Sequence, residues 1–239
     1  MFLIKAADLV IGIENQFDNV RELCRTYITD GLTSPDFSVS VSENELRTEA
    51  EKTPEYFFSD EQAESVILCE KISNALPRFD AFMMHSAAIE VNGKAYCFAA
   101  ASGTGKSTHI RHWKRVLGER MTVINGDKPI CRFRGSQLFV YGTPWCGKEN
   151  WQKNTSAPLE AVCLLERGQE NAVYLLNPST VMDELLRNFH ILGRDQVDIM
   201  KLLELIDRMV TTVPVYRLRC TDDVSAAETA IAYFGIKKE

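Results

Sequence analysis

The stretch from Lys94 to Leu117 limits the possible folds more than any other part of the chain. The run Lys94–Ala101 (KAYCFAAA), apolar after its first residue, reads as a buried strand. It leads into Ala100-Ala101-Ser102-Gly103-Thr104-Gly105-Lys106-Ser107-Thr108, and a helix-prone stretch, Ser107–Leu117, leads out. Strand, glycine-rich turn and helix in this order match the G-x-x-x-x-G-K-[ST] pattern of a phosphate-binding loop, with Ala100 where the first glycine normally stands. Gly103 and Gly105 can adopt backbone angles closed to other residues, so successive N–H groups turn inward. Together with the start of the helix they form an anion site. Lys106 would bring positive charge to the β- and γ-phosphates of ATP. The Ser107 hydroxyl suits Mg2+, which prefers hard oxygens. Nucleotide contacts are therefore expected from Ser102, Gly103, Thr104, Gly105, Lys106, Ser107 and Thr108.

Composition narrows the class. At 239 residues the chain allows one large domain, or a core with a small addition. A hydrophobic share of 45% with 25% charged residues is ordinary for a globular protein. No apolar run is long enough for a membrane span, and Asp8 interrupts the apolar start, so neither an anchor nor a signal peptide is expected. Seven widely spaced cysteines without a C-x-x-C suggest buried free thiols in a reducing compartment, hence a cytoplasmic protein. The net charge of −6 argues against a nucleic-acid surface.

Along the chain, residues 1–78 read as a small β-α-β-α region and residues 79–239 as the nucleotide-binding core. In the first part, Phe2–Ile13 looks like a strand, Asn15–Tyr27 like a helix and Asp36–Val41 like a second strand. Ser59 and Gln62 form a capping box for a helix running to about Leu76. Between residues 41 and 70 nine acidic residues face two basic ones, which suggests a solvated surface. In the second part, Phe82–Val91 and Lys94–Ala101 flank Asn92-Gly93, a strong hairpin signal. Met121–Ile124 follows as a strand. Ile130–Arg134 and Gln137–Gly142 form a second hairpin around Gly135-Ser136, and Ala161–Leu165 and Ala172–Leu175 a third around Gly168. Helices are expected near Thr180–Phe189 and Gln196–Thr212, then a strand at Pro214–Cys220 and a helix at Ser225–Phe234. So many hairpins around the loop exclude an all-parallel nucleotide fold. The expected class is α/β with a mixed, largely antiparallel sheet.

Several other residues are candidates for chemistry. Asp127 ends an apolar strand some twenty residues after Lys106, where a carboxylate can bind Mg2+ or take the acceptor's proton. His85 can hold a phosphate or orient Asp127. Within the loop Thr143–Glu149, Trp145, Lys148 and Glu149 are candidate substrate contacts. Cys146 lacks a base partner and is not expected to be a nucleophile. His109 and His112 share a helix face without carboxylate or thiolate company, so packing is expected rather than metal binding. Arg187, His190 and Arg194 cluster at a helix end, where one of them can reach the γ-phosphate.

These residues resemble HPr kinase/phosphorylase and, more distantly, the ATP-dependent phosphoenolpyruvate carboxykinases. His85 stands fifteen residues before Ala100, as the corresponding histidine of that family stands before its loop. Runs such as SGTGKST (102–108), VINGDK (123–128) and GTPWCGKE (142–149) are similar to those of small HPr-kinase-like proteins of Gram-positive bacteria. The resemblance covers roughly residues 82–180. It implies a kinase; taken with the readings above, Asp127, His85 and Lys106 are the expected catalytic residues and Ser107 and Asp127 the expected metal ligands. The family's acidic pair is reduced to Gly126-Asp127, and its L-E-I-R-G signature is replaced by Leu138-Phe139-Val140-Tyr141-Gly142. The first departure means that the family's separate base and metal roles cannot both be carried over; the second, which removes the signature's charged pair, argues against HPr as substrate and against the phosphorylase reaction. The expected function is Mg-dependent transfer of the γ-phosphate of ATP to a hydroxyl of a small molecule, peptide or protein. The alternatives are a nucleotide-binding accessory module with little turnover and a small carboxykinase-like lyase. Expected partners are the nucleotide and an unidentified hydroxyl acceptor, with no nucleic acid and no membrane. The oligomeric state stays open, a homo-oligomer included.

Overall fold

The structure, a computed structural model, describes residues 1–31, 34–52, 59–101, 103–190 and 195–237. It begins with β1 (Phe2–Ala6) and β2 (Leu9–Glu14), followed by α1 (Asp18–Leu23), β3 (Phe37–Ser40), α2 (Glu43–Lys52) and α3 (Asp60–Ala75). The order is thus β-β-α-β-α-α rather than β-α-β-α. The expected strand Phe2–Ile13 is a hairpin, because Ala7 and Asp8 both take left-handed angles (φ 52° and 57°) and reverse the chain. That turn is held from outside: Arg132 donates to Ala7 O (2.7 Å), while Arg134 and Tyr141 donate to the Asp8 carboxylate. β3 joins parallel to β2 and completes a three-stranded sheet.

α3 starts as expected, with Ser59 and Gln62 exchanging capping bonds. α2 was not expected. It occupies part of the acidic stretch, where Lys71 pairs with Glu45 (2.6 Å). Glu64, from the same stretch, is fully buried and accepts the main-chain N–H groups of Gln16 and Phe17, so it is not part of a solvated face.

The second part comprises β4 (Ala81–Met83), β5 (Ser86–Val91), β6 (Lys94–Ala99), α4 (Lys106–Leu117), β7 (Met121–Asn125), β8 (Ile130–Arg134), β9 (Gln137–Tyr141), β10 (Ser156–Arg167), β11 (Ala172–Leu175), α5 (Pro178–Leu186), α6 (Gln196–Thr212), β12 (Val215–Cys220) and α7 (Val224–Tyr233). Its nine strands form a mixed sheet in the order β4-β8-β9-β10-β6-β5-β7, with β12 on β10 and β11 on β12. Only the β6–β10 and β10–β12 pairs are parallel, so the sheet is largely antiparallel, as expected. The Asn92-Gly93 and Gly135-Ser136 hairpins form as expected. The third hairpin does not. β12 inserts between β10 and β11, because its Val215 and Leu218 are buried whereas Leu175 of β11 is exposed and suits an edge.

Alternation along the strands builds two cores. Ala95, Cys97 and Ala99 of β6 and Val162 and Leu164 of β10 face α5 and α6. Tyr96 and Phe98, with Ala161, Cys163 and Leu165, face α4 and α7. Burial on both faces explains the continuous apolar runs. A third core joins the first sheet and α3 to Met83, Ile130, Tyr141 and Trp145. All seven cysteines are free, and six are buried. No helix among the described residues is long and apolar enough to cross a membrane.

His109 is a core residue. It packs on Phe98 and accepts the Trp113 indole N–H (2.9 Å). Burial, with a smaller contribution from His112, pushes its pKa down to about 3 from the usual 6.5. The folded protein therefore keeps it neutral. Its contribution to stability is complete above about pH 6.5 and lost as the pH falls towards about 3. In urea titrations across that window, the wild type should lose stability more steeply than His109→Gln, which keeps an acceptor but does not titrate. The difference should be on the order of 1 kcal/mol per pH unit. Parallel pH profiles would contradict a buried neutral ring.

Candidate active site

β4 lies beside β8, while β5 lies between β6 and β7, so the chain crosses from one half of the sheet to the other at Met84 and His85. Three main-chain bonds fix the crossing: Met84 N–H to Pro129 O, His85 N–H to Asn188 O (2.7 Å) and Ser86 N–H to Asp127 O (3.0 Å). The His85 ring, 42% exposed, is left at the seam. Its Nε2 lies 3.1 Å from Asp127 Oδ1 and 3.3 Å from Lys106 Nζ. One ring nitrogen cannot donate to the carboxylate and accept from the ammonium together. Ala100 O, 3.1 Å from Lys106 Nζ, gives the ammonium its own acceptor. The network thus assigns an Nε2 proton donated to Asp127.

The same neighbours set the charge of the group. Burial pushes the Asp127 carboxyl up, but the His85 hydrogen bond and the charges of His85, Lys128 and Lys106 together hold it below the ordinary carboxylate value. Burial lowers Lys106, against which the Asp127 charge acts. An ionised carboxylate therefore sits beside an ammonium in a partly dry space.

Asp127 owes its position to Asn125, which is 0% exposed. The Asn125 side-chain oxygen accepts the N–H groups of Asp127 (2.8 Å) and Lys128 (2.7 Å). Its amide nitrogen donates to Thr143 O, Thr143 Oγ1 and Trp145 O. The turn after β7 and the loop after β9 are thereby tied to one side chain. Glycines permit the close approach: a Cβ at Gly126 would lie 2.7 Å from Cys146 O, and one at Gly147, at φ +77°, 3.0 Å from Asp127 Cβ.

The glycine-rich turn faces the same space. Gly103 and Gly105 take φ of +77° and +114°, and Gly105, which has no side chain to offer a capping bond, begins α4. Arg167, at the end of β10, donates to Gly103 O (2.7 Å) and Thr104 O (3.1 Å) and steadies the turn from behind. A cavity of about 380 Å3 is lined by Gly103, Gly105, Lys106, Ser107, His85 and Asp127, and also by Lys148 and Glu149. Residues expected to act together from sequence thus share one cavity. Thr104 and Thr108 line an adjoining cleft with His112, Arg167 and Asp222 instead. Arg187 and His190, expected near the γ-phosphate, line a separate cavity and not this one; Ser102 and Arg194 lie outside the described residues.

The side chains of the loop 143–149 have different surroundings. Lys148 is exposed, and Glu149 forms an ion pair with Arg111 of α4 (2.6 Å). Trp145, expected to touch substrate, turns the other way. Its ring lies in the core around α3, and its indole N–H donates to Ser65 O (3.0 Å). Burial, with the Asp127 charge, pushes the Cys146 thiol up, which keeps it un-ionised. Two residues were missed from sequence. Arg167 carried no local signal, and Asn125 carried only its place at the end of an apolar strand, where a buried polar side chain must find partners.

Among the described residues no three His, Cys, Asp or Glu side chains cluster to hold a metal ion. Asp127 and Ser107 can offer a divalent cation two oxygens. That suits Mg2+, which takes few protein ligands and completes its shell with phosphates and water. Replacing Asn125 by Ala should destabilise the protein by roughly 2–4 kcal/mol, because buried partners are left unsatisfied. A urea midpoint unchanged from wild type would show that the pin is dispensable.

No curated protein matches the sequence. Among solved structures, the HPr(Ser) kinase/phosphatase from Coxiella burnetii aligns over 64% of this chain and 95% of its own, at 9% identity and a TM-score of 0.36. A likeness at that level assigns no activity. The family model described as SynChlorMet cassette protein ScmC matches residues 59–225, which take in α3, the sheet and the whole cavity, and the chain belongs to that family.

Proposed function

We propose that the protein is a kinase that transfers the γ-phosphate of ATP to a hydroxyl group. The observation that supports this most is the single cavity shared by the Gly103–Ser107 turn, the Lys106 ammonium and the hydrogen-bonded Asp127–His85 pair. In this reading the first-turn N–H groups of α4 and Lys106 hold the β- and γ-phosphates. Ser107 and Asp127 would hold Mg2+, which when bound neutralises phosphate charge. Asp127, ionised at neutral pH, takes the proton of the acceptor hydroxyl. The acceptor oxygen bonds to the γ-phosphorus, and the bond from that phosphorus to the bridging oxygen of ADP breaks. His85 keeps the carboxylate oriented. Most of the rate comes from positioning and charge stabilisation, because the transition state is loose.

The test is calorimetry with Mg·ATP together with transfer of labelled γ-phosphate to small hydroxyl compounds and cell extract. Lys106→Ala should bind no nucleotide. Asp127→Asn should fold normally and lose transfer by roughly 100- to 10,000-fold. Well-folded wild-type protein that takes up no magnesium nucleotide would defeat the reading, and so would full transfer by Asp127→Asn. Because Asp127 is held below its ordinary value of 3.8, activity should persist down to about pH 4 before an acid limb appears. A limb centred near pH 6 would point to another base.

A further inference from the structure

We infer that the acceptor is a small hydroxyl compound that also carries a carboxylate, held in a second cavity behind His85; this rests on the kinase reading above. The cavity, of about 220 Å3, lies between α3, β4 and the segment after α5. His85 lines both this cavity and the one containing the glycine-rich turn. The consecutive residues Asp127 and Lys128 divide between them, Asp127 lining the first and Lys128 the second. An acceptor in the second cavity therefore meets the seam where the proton acceptor and the phosphate-binding lysine come together.

The far wall is fixed rather than loose. Met84 and Phe189 form a β-bridge, and the His85 N–H donates to Asn188 O. Size limits the occupant. The volume lies below the roughly 300–1,000 Å3 of common ligand pockets, so a compound of a few carbon atoms suits it and a nucleotide does not. Charge defines the chemistry. Lys128 and Arg187 line the cavity against a single carboxylate, Glu70. Among the described residues neither cation has an ion-pair partner. A surplus cation with a guanidinium fork selects a carboxylate, which that fork can bind through two parallel bonds. Met83 and Phe189 supply the apolar surface for a short carbon chain. The reaction is the one above: the acceptor oxygen gains the phosphoryl group, ADP leaves, and the hydroxyl proton passes to Asp127.

The experiment uses the full chain with Mg·ATP and matched acceptors: glycerate, serine, glycerol and ethanolamine. Glycerate or serine should be phosphorylated with a kcat/KM roughly 100-fold or more above glycerol and ethanolamine. Arg187→Ala should raise the KM for that acceptor by roughly 10- to 100-fold, with partial recovery in Arg187→Lys, while the Kd for Mg·ATP moves by less than about twofold. Equal use of glycerate and glycerol would overturn the inference, as would an acceptor KM untouched by Arg187→Ala. ATP that is bound and turned over, yet passed to none of the acid-bearing compounds, would overturn it and leave the kinase reading standing. Failure to bind Mg·ATP at all would remove both.

Discussion

The candidate site depends on one buried amide. The Asn125 side chain ends β7, receives two N–H groups from the turn that carries Asp127, and donates to the loop that carries Trp145. A buried amide without partners would cost more than it contributes, so five satisfied contacts leave few alternative arrangements. Through them, the position of Asp127 is set by β7 rather than by a mobile turn. The His85 ring can meet Asp127 only because the β4–β5 crossing is itself bonded to Asp127 O and Asn188 O. The distance from His85 to Asp127 thus follows from main-chain hydrogen bonding more than from attraction between the side chains.

The sheet explains why the two sides of the seam differ. The three parallel strands β6, β10 and β12 end together near the glycine-rich turn and Arg167. This follows the general tendency of ligand sites to lie beyond the carboxyl ends of parallel strands. The antiparallel strands β4, β8 and β9 lie on the opposite flank and pack against the first sheet and α3. His85 stands at the meeting of the two, which accounts for its access to both cavities.

Local patterns in the sequence were legible where the physics is local. Asn92-Gly93 and Gly135-Ser136 mark turns that need positive φ or small residues, and both hairpins formed. The Ser59–Gln62 capping box also spans only four residues. What failed depended on distant partners. The Gly168 turn suggested that β10 and β11 pair, but β12, some forty residues later, buries more apolar surface and takes the place between them. The Ala7-Asp8 turn was hidden because alanine carries no turn signal, and its left-handed conformation is held by Arg132, Arg134 and Tyr141 from another part of the chain. The candidate residues Lys106, Asp127 and His85 were legible through a motif and two spacings. Asn125 was not, since its importance is a matter of burial, and Trp145 was legible as notable but not in its direction.

The contact between Trp145 and Ser65 makes the loop depend on the first part of the chain. The loop that borders the candidate site is clamped at its tryptophan by a helix encoded eighty positions earlier. A shortened relative lacking that helix would present a bare indole and an orphaned loop to water.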